Sequence, residues 1–453
     1  MVAVTTGMYL MPDYNSSVGS TSEPIFAPQW RSLIDAKASP KFDTELVEFL
    51  RQCIAVPSIS GQERPLVELA ARQASQWGLH VDVFESDESR LVKHPVISQR
   101  HIPLKGRPTA VILLRGDYAG PTVMFNAHSD VVSPGDEKQW QHAPWSGAAD
   151  GGHLYGRGAC DAKGPMVAAL GAILKIKENA GTRFRGTVGL EIIPGEEDCV
   201  DLGTLTSVDR GYRADAAIIL EPTEGLPRCA SRSGLRFEIG VLGRAVHGTV
   251  KWLGSDAIGG LRRLLSALDE MEVEFGRQDA DDRYASYPVL RPITVDRIDG
   301  GEWQGMICDR ASCSGYFELC PEDDLDMWQD RFMTELRSRF DAVRDAGQEV
   351  EIKFVERYQG FSTHIESSIC RAAEMVIKYS PAAERWKKWR GFNSGCEGGL
   401  RFKLHRTKTL VWGPGSLAQA HRADEYVPIR EVLDCSNWMA AAVMAYLNDD
   451  LAG

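Results

Sequence analysis

Four apolar segments in the first half of the chain constrain its fold more than any other feature. They read "TAVILLRG", "PTVMFNAH", "GTVGLEIIPGEE" and "DAAIILEP". Apolar strands without polar alternation are buried on both faces, as in α/β proteins whose helices cover both sides of a sheet. Helical patterns such as "GPMVAALGAILKIKENA" alternate with these segments. We therefore predict an α/β fold in which a central mixed sheet is flanked by helices.

Changes in the sequence pattern divide the chain into four predicted parts. Residues 1–42 are polar and show no sustained period, which indicates an N-terminal arm or a loosely attached cap. Residues 43–231 and 361–453 share the α/β pattern and form the two parts of one larger domain. Residues 232–360 show strands and helices in the order β-α-β-β-α-β, which predicts an α+β, ferredoxin-like domain inserted into the first.

Composition argues against several classes of partner. The chain has 51 basic and 63 acidic residues, and its net charge of -12 repels nucleic acid and anionic membranes. No segment approaches the ~18 apolar residues that a membrane span needs, and the start lacks a signal-peptide pattern, so we expect a cytoplasmic protein.

The 10 cysteines form no CxxC pair, which argues against a zinc finger or a disulfide framework.

Acidic and histidine residues lie at the ends of predicted strands, at the edge where an open α/β sheet has its ligand crevice. These residues are His128, Asp130, Asp161, Glu196, Glu197, Glu221 and His421. Residues i and i+2 of a strand share a face, so Asp130 can support His128 as a metal ligand, directly or through a neighbour. The adjacent carboxylates of Glu196 and Glu197 are unfavourable near an apolar strand unless cations compensate them. Two divalent cations bridged by Asp161 would do so.

Each of these motifs alone has a simpler explanation. A lone His-x-Asp is more often a buried structural pair, and two adjacent acids usually belong to a solvated surface. The glycine-rich "GRGACDAKG" makes a poor helix or strand interior, although a turn without chemistry has the same composition. Together and in this order the motifs favour a metal site. Imidazole and carboxylate ligands without a thiolate suit Zn²⁺, with Mn²⁺ or Co²⁺ as alternatives.

Several motifs together resemble a known family. They read "HSDVVSPGDEKQW", "GRGACDAKG", "PGEEDCVDLGT", "LEPT", "GRAVHG" and "GPGSLAQAHRADEYVPI". The chain resembles the co-catalytic zinc metallopeptidase family that includes acetylornithine deacetylase, succinyl-diaminopimelate desuccinylase, aminoacylase and glutamate carboxypeptidase. The resemblance runs in the family's order from about Phe42 to the C-terminus and leaves out only the predicted arm.

The resemblance implies a set of metal ligands. His128 and Glu221 match the ligands of one metal, Glu197 and His421 match those of the other, and Asp161 matches the bridging carboxylate. The resemblance also implies a cis peptide bond between Asp161 and the residue that follows it.

The same resemblance implies catalytic roles. Asp130 matches the acid that supports the metal ligands, and Glu196 matches the general base. His247 matches a histidine that reaches the active site of the partner subunit and stabilises the oxyanion. The inserted domain matches the family's lid and dimerisation domain, so we expect a homodimer formed through it.

Glu318 stands where relatives carry an arginine that binds the substrate's carboxylate, and Gly305 stands where they carry an asparagine. One explanation is that Arg232, Arg236 or Arg310 takes over this role. Another is that the substrate lacks the usual carboxylate, and a third is an error in the register of this comparison.

A second departure lies in "WRGFNSGCEGGLRFK", where relatives carry a Gly-Gly-Thr-Ser-Asp-like loop that contacts the substrate. This loop offers Asn393, Ser394, Gly395, Cys396 and Glu397 instead. Because its motif contains no paired histidine, we expect Cys396 to pack or to line the pocket.

We predict a dinuclear metal-dependent hydrolase that cleaves the amide bond of a small N-acyl amino acid-like compound or peptide through a water activated by Glu196. One alternative is a deacylase or deaminase that acts on a non-peptide, for example aromatic, substrate without the carboxylate contact. The other is a non-catalytic, metal-stabilised binding protein.

Overall fold

The computed structural model describes residues 30–34, 40–91, 94, 103–198, 202–277 and 281–448. Residues 1–29 and 35–39 of the predicted arm lie outside the described residues. Within that range, the helix α1 (Trp30–Ile34) buries Trp30 and Leu33 in the core of the larger domain. The helix α2 (Pro40–Ile54) also begins before residue 43.

The larger domain contains a six-stranded sheet. Its strands, in spatial order, are β1 (His80–Phe84), β2 (Thr109–Arg115), β6 (Arg185–Ile193), β3 (Tyr118–His128), β7 (Ala216–Ile219) and β16 (Lys408–Val411). The last four strands in this order run parallel, whereas β1 and β2 are antiparallel to their neighbours. The four apolar segments correspond to β2, β3, β6 and β7, and the prediction of a central mixed sheet is confirmed.

Helices surround this sheet because their apolar faces need a partner. Besides α1 and α2 they are α3 (Arg64–Gln76), α4 (Glu88–Leu91), α5 (Gly164–Ala180), α6 (Leu202–Asp209), α9 (Ser368–Tyr379), α10 (Gly398–His405) and α11 (Ile429–Leu447). Helices α5 and α11 pack closely, and the Ser436 hydroxyl donates to the Ala168 carbonyl at 2.9 Å. A side chain at Gly171 would lie 2.5 Å from the Ser436 hydroxyl, so this packing requires glycine there.

The inserted region forms a second sheet with its own core. Its elements are β9 (Ser233–Leu242), α7 (Ala257–Phe275), β11 (Ile293–Gly300), β13 (Arg310–Leu319), α8 (Leu325–Val343) and β14 (Glu349–Tyr358). The sheet is antiparallel with the order β11-β13-β9-β14, which is the ferredoxin-like arrangement. The two helices pack on the sheet through Phe237, Phe317, Trp328 and Phe332. The predicted fold class is confirmed, while the boundaries 232 and 360 stay a proposal.

Among the described residues, short strands form three smaller sheets. These strands are β4 (Ala148–Asp150), β5 (His153–Tyr155), β8 (Ala230–Ser231), β10 (Val246–His247), β12 (Met306–Ile307), β15 (Phe361–Ser362) and β17 (Tyr426–Pro428). The three sheets have the orders β10-β12, β15-β8 and β17-β5-β4. Strands β8 and β15 pair where the chain enters and leaves the inserted region. This pair therefore joins both crossings between the two domains. In the described part of the chain, no helix is long and apolar enough to cross a membrane.

A buried ion pair supports the centre of the larger domain. Glu191 of β6 and Arg401 of α10 are both fully buried, and the Arg401 Nε donates to the Glu191 carboxylate at 2.8 Å. Asn126 also donates to this carboxylate, at 2.7 Å. Removing one partner leaves an uncompensated charge in the core, so the pair is costly to break.

We expect Glu191→Ala to lower the free energy of unfolding by about 3–5 kcal/mol, because Arg401 is then buried without its carboxylate. Urea denaturation followed by circular dichroism measures this loss. The control is Glu48→Ala, which breaks a half-exposed pair with Arg51 and should cost about 1 kcal/mol or less. Equal losses in the two variants would contradict the assignment.

Candidate metal centre

Three parallel strands bring most of the predicted site residues to one edge of the main sheet. Strand β3 ends at His128, and β6 is followed by the loop that carries Glu196 and Glu197. Strand β7 ends at Ile219, two residues before Glu221. Because the carboxyl ends of neighbouring parallel strands share an edge, residues distant in sequence meet there.

Two triads of potential ligands lie at this edge and share Asp161. The first contains His128, Asp161 and Glu221, and the second contains Asp161, Glu197 and His421. The ligand atoms of each triad lie within 4.8 Å of one another. His128 Nε2 is 3.0 Å from one Asp161 oxygen, and His421 Nε2 is 3.4 Å from the other. The structure thus brings together all five residues that the family resemblance identifies as metal ligands.

The chemistry of these groups fits two divalent cations. Each triad offers imidazole nitrogen and carboxylate oxygen, which are ligands that Zn²⁺ accepts. Glu197 Oε1 is buried and has no hydrogen-bond partner among the described residues, although its other oxygen lies 3.1 Å from His421 Nε2. Burial, together with the carboxylates of Asp161 and Glu196, raises the pKa of Glu221 well above its usual range. Cations between these carboxylates would relieve their repulsion.

Asp130 supports the centre through the backbone. Its carboxylate accepts hydrogen bonds from the N–H groups of Gly195, Glu196 and Glu197 at 2.9, 3.2 and 3.0 Å. Its own carbonyl lies 2.9 Å from His128 Nδ1, whereas the nearest carboxylate oxygen is 3.9 Å away. Asp130 thus orients His128 with its main chain and the loop of Glu196 and Glu197 with its side chain.

Glu425 is a site residue that our sequence analysis missed. Its buried carboxylate accepts hydrogen bonds from the N–H groups of Gly158, Cys160 and Asp161 at 3.0, 2.9 and 3.1 Å. Arg157 donates to the same carboxylate at 2.7 Å. The only signal for this role is an acid next to the short apolar strand β17 within the motif "HRADEYVPI".

Asp161 is followed by a cis peptide bond, as the resemblance implies.

Glu196 lies beside the triads and faces a cavity. It lines this cavity together with Asp161, Glu197 and Glu221. Burial, together with the carboxylates of Glu197 and Asp161, raises the pKa of Glu196 to about 8 against the opposing effect of the His128 charge. A carboxyl group whose pKa lies near neutrality can both accept and release a proton during a reaction.

The cavity has a volume of about 550 Å³ and is formed by both domains. The inserted domain contributes Tyr316, Glu318, Glu356 and Tyr358. The larger domain adds the loop 392–397, so Cys396 lines the cavity as expected. Burial raises the pKa of the Cys396 thiol, which makes it a poor nucleophile.

None of the three arginines proposed as replacements for the family's arginine lines this cavity. Arg232 is fully buried and donates to Asn393 Oδ1 and to the Leu290 carbonyl, at 2.7 and 2.6 Å. Arg236 donates to the Tyr316 hydroxyl, and Arg310 is exposed at the start of β13. None of the three arginines therefore lies on the cavity wall of this chain, where it could contact a substrate carboxylate.

His247 lies apart from the triads. It belongs to β10, which pairs with β12 in the inserted domain, and its side chain is exposed. Its Nδ1 is 2.8 Å from the Thr249 hydroxyl, and it does not line the cavity of its own chain. Its predicted role in a partner subunit stays a proposal.

Comparisons with known proteins agree with this site and fold. The model of peptidase family M20/M25/M40 matches residues 124–445. Succinyl-diaminopimelate desuccinylase of Methylorubrum extorquens (strain PA1) is 31% identical over 336 residues, which are 71% of this chain and 80% of that protein. The desuccinylase of Methylorubrum populi is 32% identical over 224 residues, which are 48% of this chain and only 54% of that protein. Human carnosine dipeptidase 1 has a TM-score of 0.70 at 17% identity, over 94% of this chain and 100% of that one.

The fold, the paired triads and these matches define a metal-dependent amidohydrolase. The chain belongs to peptidase family M20/M25/M40. The predicted family and the prediction of an enzyme are therefore confirmed. The alternative of a non-catalytic binding protein is set aside.

We expect Asp130→Asn to weaken binding of divalent metal about 10- to 100-fold, because the neutral amide binds the N–H groups of residues 195–197 less well than a carboxylate does. Titration of metal-free protein in competition with a chelating dye measures this affinity. Asp136→Asn changes an exposed aspartate of the following turn and should leave the affinity unchanged. An unchanged affinity in Asp130→Asn would contradict the supporting role.

Proposed function

We propose that this amidohydrolase cleaves the amide bond of a small N-acyl amino compound or a small peptide, with two divalent cations held by the two triads. Zn²⁺ is the first choice, with Mn²⁺ and Co²⁺ as alternatives. The observation that carries the proposal is the arrangement of the two triads, which share Asp161 and lie next to Glu196 in one cavity.

The side chains divide the reaction between them. Bound divalent cations supply Lewis-acid polarisation of the amide carbonyl and lower the pKa of water. Glu196 accepts the proton of the attacking water at its carboxylate and then returns it to the departing amine nitrogen. Asp130 and Glu425 hold the loops on which Glu196 and Asp161 lie, so they position these groups without touching the substrate.

We also propose a homodimer formed through the inserted domain, in which His247 stabilises the oxyanion in the partner's site. An apolar surface around β10 and β12 supports this proposal. Trp252, Leu253, Trp303 and Met306 are exposed there, with Trp303 80% exposed. Large apolar side chains clustered on a surface mark interaction sites.

A second candidate function is hydrolysis of a non-peptide amide that lacks the usual carboxylate contact. The presence of Glu318 in the cavity wall supports it, because a carboxylate repels another carboxylate.

We expect Glu196→Gln to lower kcat about 10²- to 10⁴-fold, because the amide cannot accept the proton of the attacking water. Metal content should stay at about two divalent ions per chain, since Glu196 is not one of the proposed ligands. Metal analysis and a hydrolysis assay on the same preparation test both points. Glu137→Gln, on an exposed turn, is the control, and normal turnover in Glu196→Gln would refute the proposed base.

Sharing of His247 between subunits predicts complementation. We expect His247→Ala and His421→Ala homodimers each to lose most activity, whereas mixed dimers regain part of it, because one of the two sites then contains both histidines. Coexpression with two affinity tags isolates the mixed dimers. If verified mixed dimers show no more activity than the homodimers, His247 does not act across the interface.

A further inference from the structure

The cavity wall beyond the two triads is acidic. Glu318 on β13, Glu356 on β14 and Glu397 before α10 line it, in addition to the four carboxylates of the metal centre. Among the described residues, no lysine or arginine lines the cavity, and His421 is its only basic residue. The cavity is therefore rich in negative charge on the side that the substrate must contact.

The carboxylates of the cavity fall into two groups, those of the metal centre and those of the wall beyond it. Two divalent cations would balance the four carboxylates of the centre, which are Asp161, Glu196, Glu197 and Glu221. Glu356 lies directly opposite Arg236 in the pairing of β14 with β9, and Arg236 also forms an ion pair with Asp296 at 3.4 Å. Glu318 and Glu397 add two further carboxylates to the wall.

Glu318 is placed to bind a ligand. One of its oxygens accepts a hydrogen bond from the Tyr358 hydroxyl. The other, Oε2, is buried and has no hydrogen-bond partner among the described residues. A buried carboxylate oxygen without a partner is unfavourable, so a donor from the substrate would stabilise it. Burial raises the pKa of Glu318 to about 7, against the lowering effects of the Tyr358 hydrogen bond and the Arg232 charge. The N–H groups of Arg232 are used by Asn393 and Leu290.

The remaining wall also suits a cation. The rings of Tyr358 and Phe392 line the same cavity as Glu318 and Glu397, and aromatic faces attract ammonium and guanidinium groups. Glu397 is only 4% exposed. Coulomb attraction to a cation is stronger in such a buried site than on the surface.

We propose that Glu318, together with Glu397, binds a cationic group of the substrate. This inference rests on the proposed amide hydrolysis and names its substrate class, which is an N-acyl compound that carries an ammonium or guanidinium group where relatives' substrates carry a carboxylate. Glu318 is then the residue that determines the charge preference of the enzyme.

Two sets of amides test this preference on both sides of the scissile bond. In the first, an acetyl group is joined to amines that end in a carboxylate, a carboxamide or an ammonium, as in N-acetyl-β-alanine, its amide and N-acetyl-1,3-diaminopropane. In the second, propylamine carries succinyl, propionyl or β-alanyl groups. We expect kcat/KM for the ammonium member of at least one set to exceed that of its carboxylate member by about tenfold or more.

Three variants test whether Glu318 causes the preference for the ammonium member. Glu318→Gln should reduce the advantage of the ammonium member over the neutral one by about tenfold while metal content stays the same. Glu318→Arg should reverse the preference in favour of the carboxylate member. Glu351→Gln removes an exposed carboxylate from β14 and should leave the preference unchanged.

Binding measurements separate failure of this inference from failure of the proposed function. Isothermal calorimetry with the Glu196→Gln variant reports the affinity of each amide without turnover. Tighter binding of the ammonium member without hydrolysis of any amide by the native enzyme would uphold the charge preference and contradict the proposed reaction. Preference for the carboxylate member, or for the neutral member with a protonated Glu318 as donor, would overturn the inference.

Discussion

The metal centre depends on two buried carboxylates that bind backbone N–H groups. Asp130 holds the loop of Glu196 and Glu197, and Glu425 holds the turn that contains Asp161. Hydrogen bonds to ionised carboxylates are about twice as strong as neutral ones. They hold two loops whose own side chains repel one another, so the ligand atoms of each triad lie within 4.8 Å of one another. Without the hydrogen bonds to Asp130 and Glu425, repulsion among the ligand carboxylates would move the two loops apart.

Two further features of the fold complete the site. The parallel strands β6, β3 and β7 end at one edge, which gives the triads a common location. The inserted domain then closes the cavity with residues from β13 and β14. The proposed metal ligands and Glu196 therefore belong to the larger domain, whereas the inserted domain contributes Tyr316, Glu318, Glu356 and Tyr358 to the cavity wall. This division is consistent with our proposal that Glu318 changes the substrate class while the proposed metal ligands match those of the family.

The sheet and the cluster of acidic and histidine residues at its edge were predictable because both depend on local patterns, whereas the division of the ligands between two metals came from the family resemblance. Buried strands are continuous apolar runs, and each is followed by a residue with a chemical role. The predicted order β-α-β-β-α-β includes β11, but its bounds could not be predicted because most of its side chains are exposed and show no buried alternation. Glu425 was missed because its partners are N–H groups more than 260 residues away in sequence. The availability of Arg232 could not be judged either, since its contacts with Asn393 and Leu290 arise only in the folded chain.

Anomalous X-ray diffraction at the zinc edge, from a crystal grown with Zn²⁺, would show whether two metals share Asp161. We expect two peaks per chain about 3.5–4 Å apart. One should contact His128 and Glu221, the other Glu197 and His421, and both should contact Asp161. A single peak, or two peaks that do not share Asp161, would contradict the proposed centre.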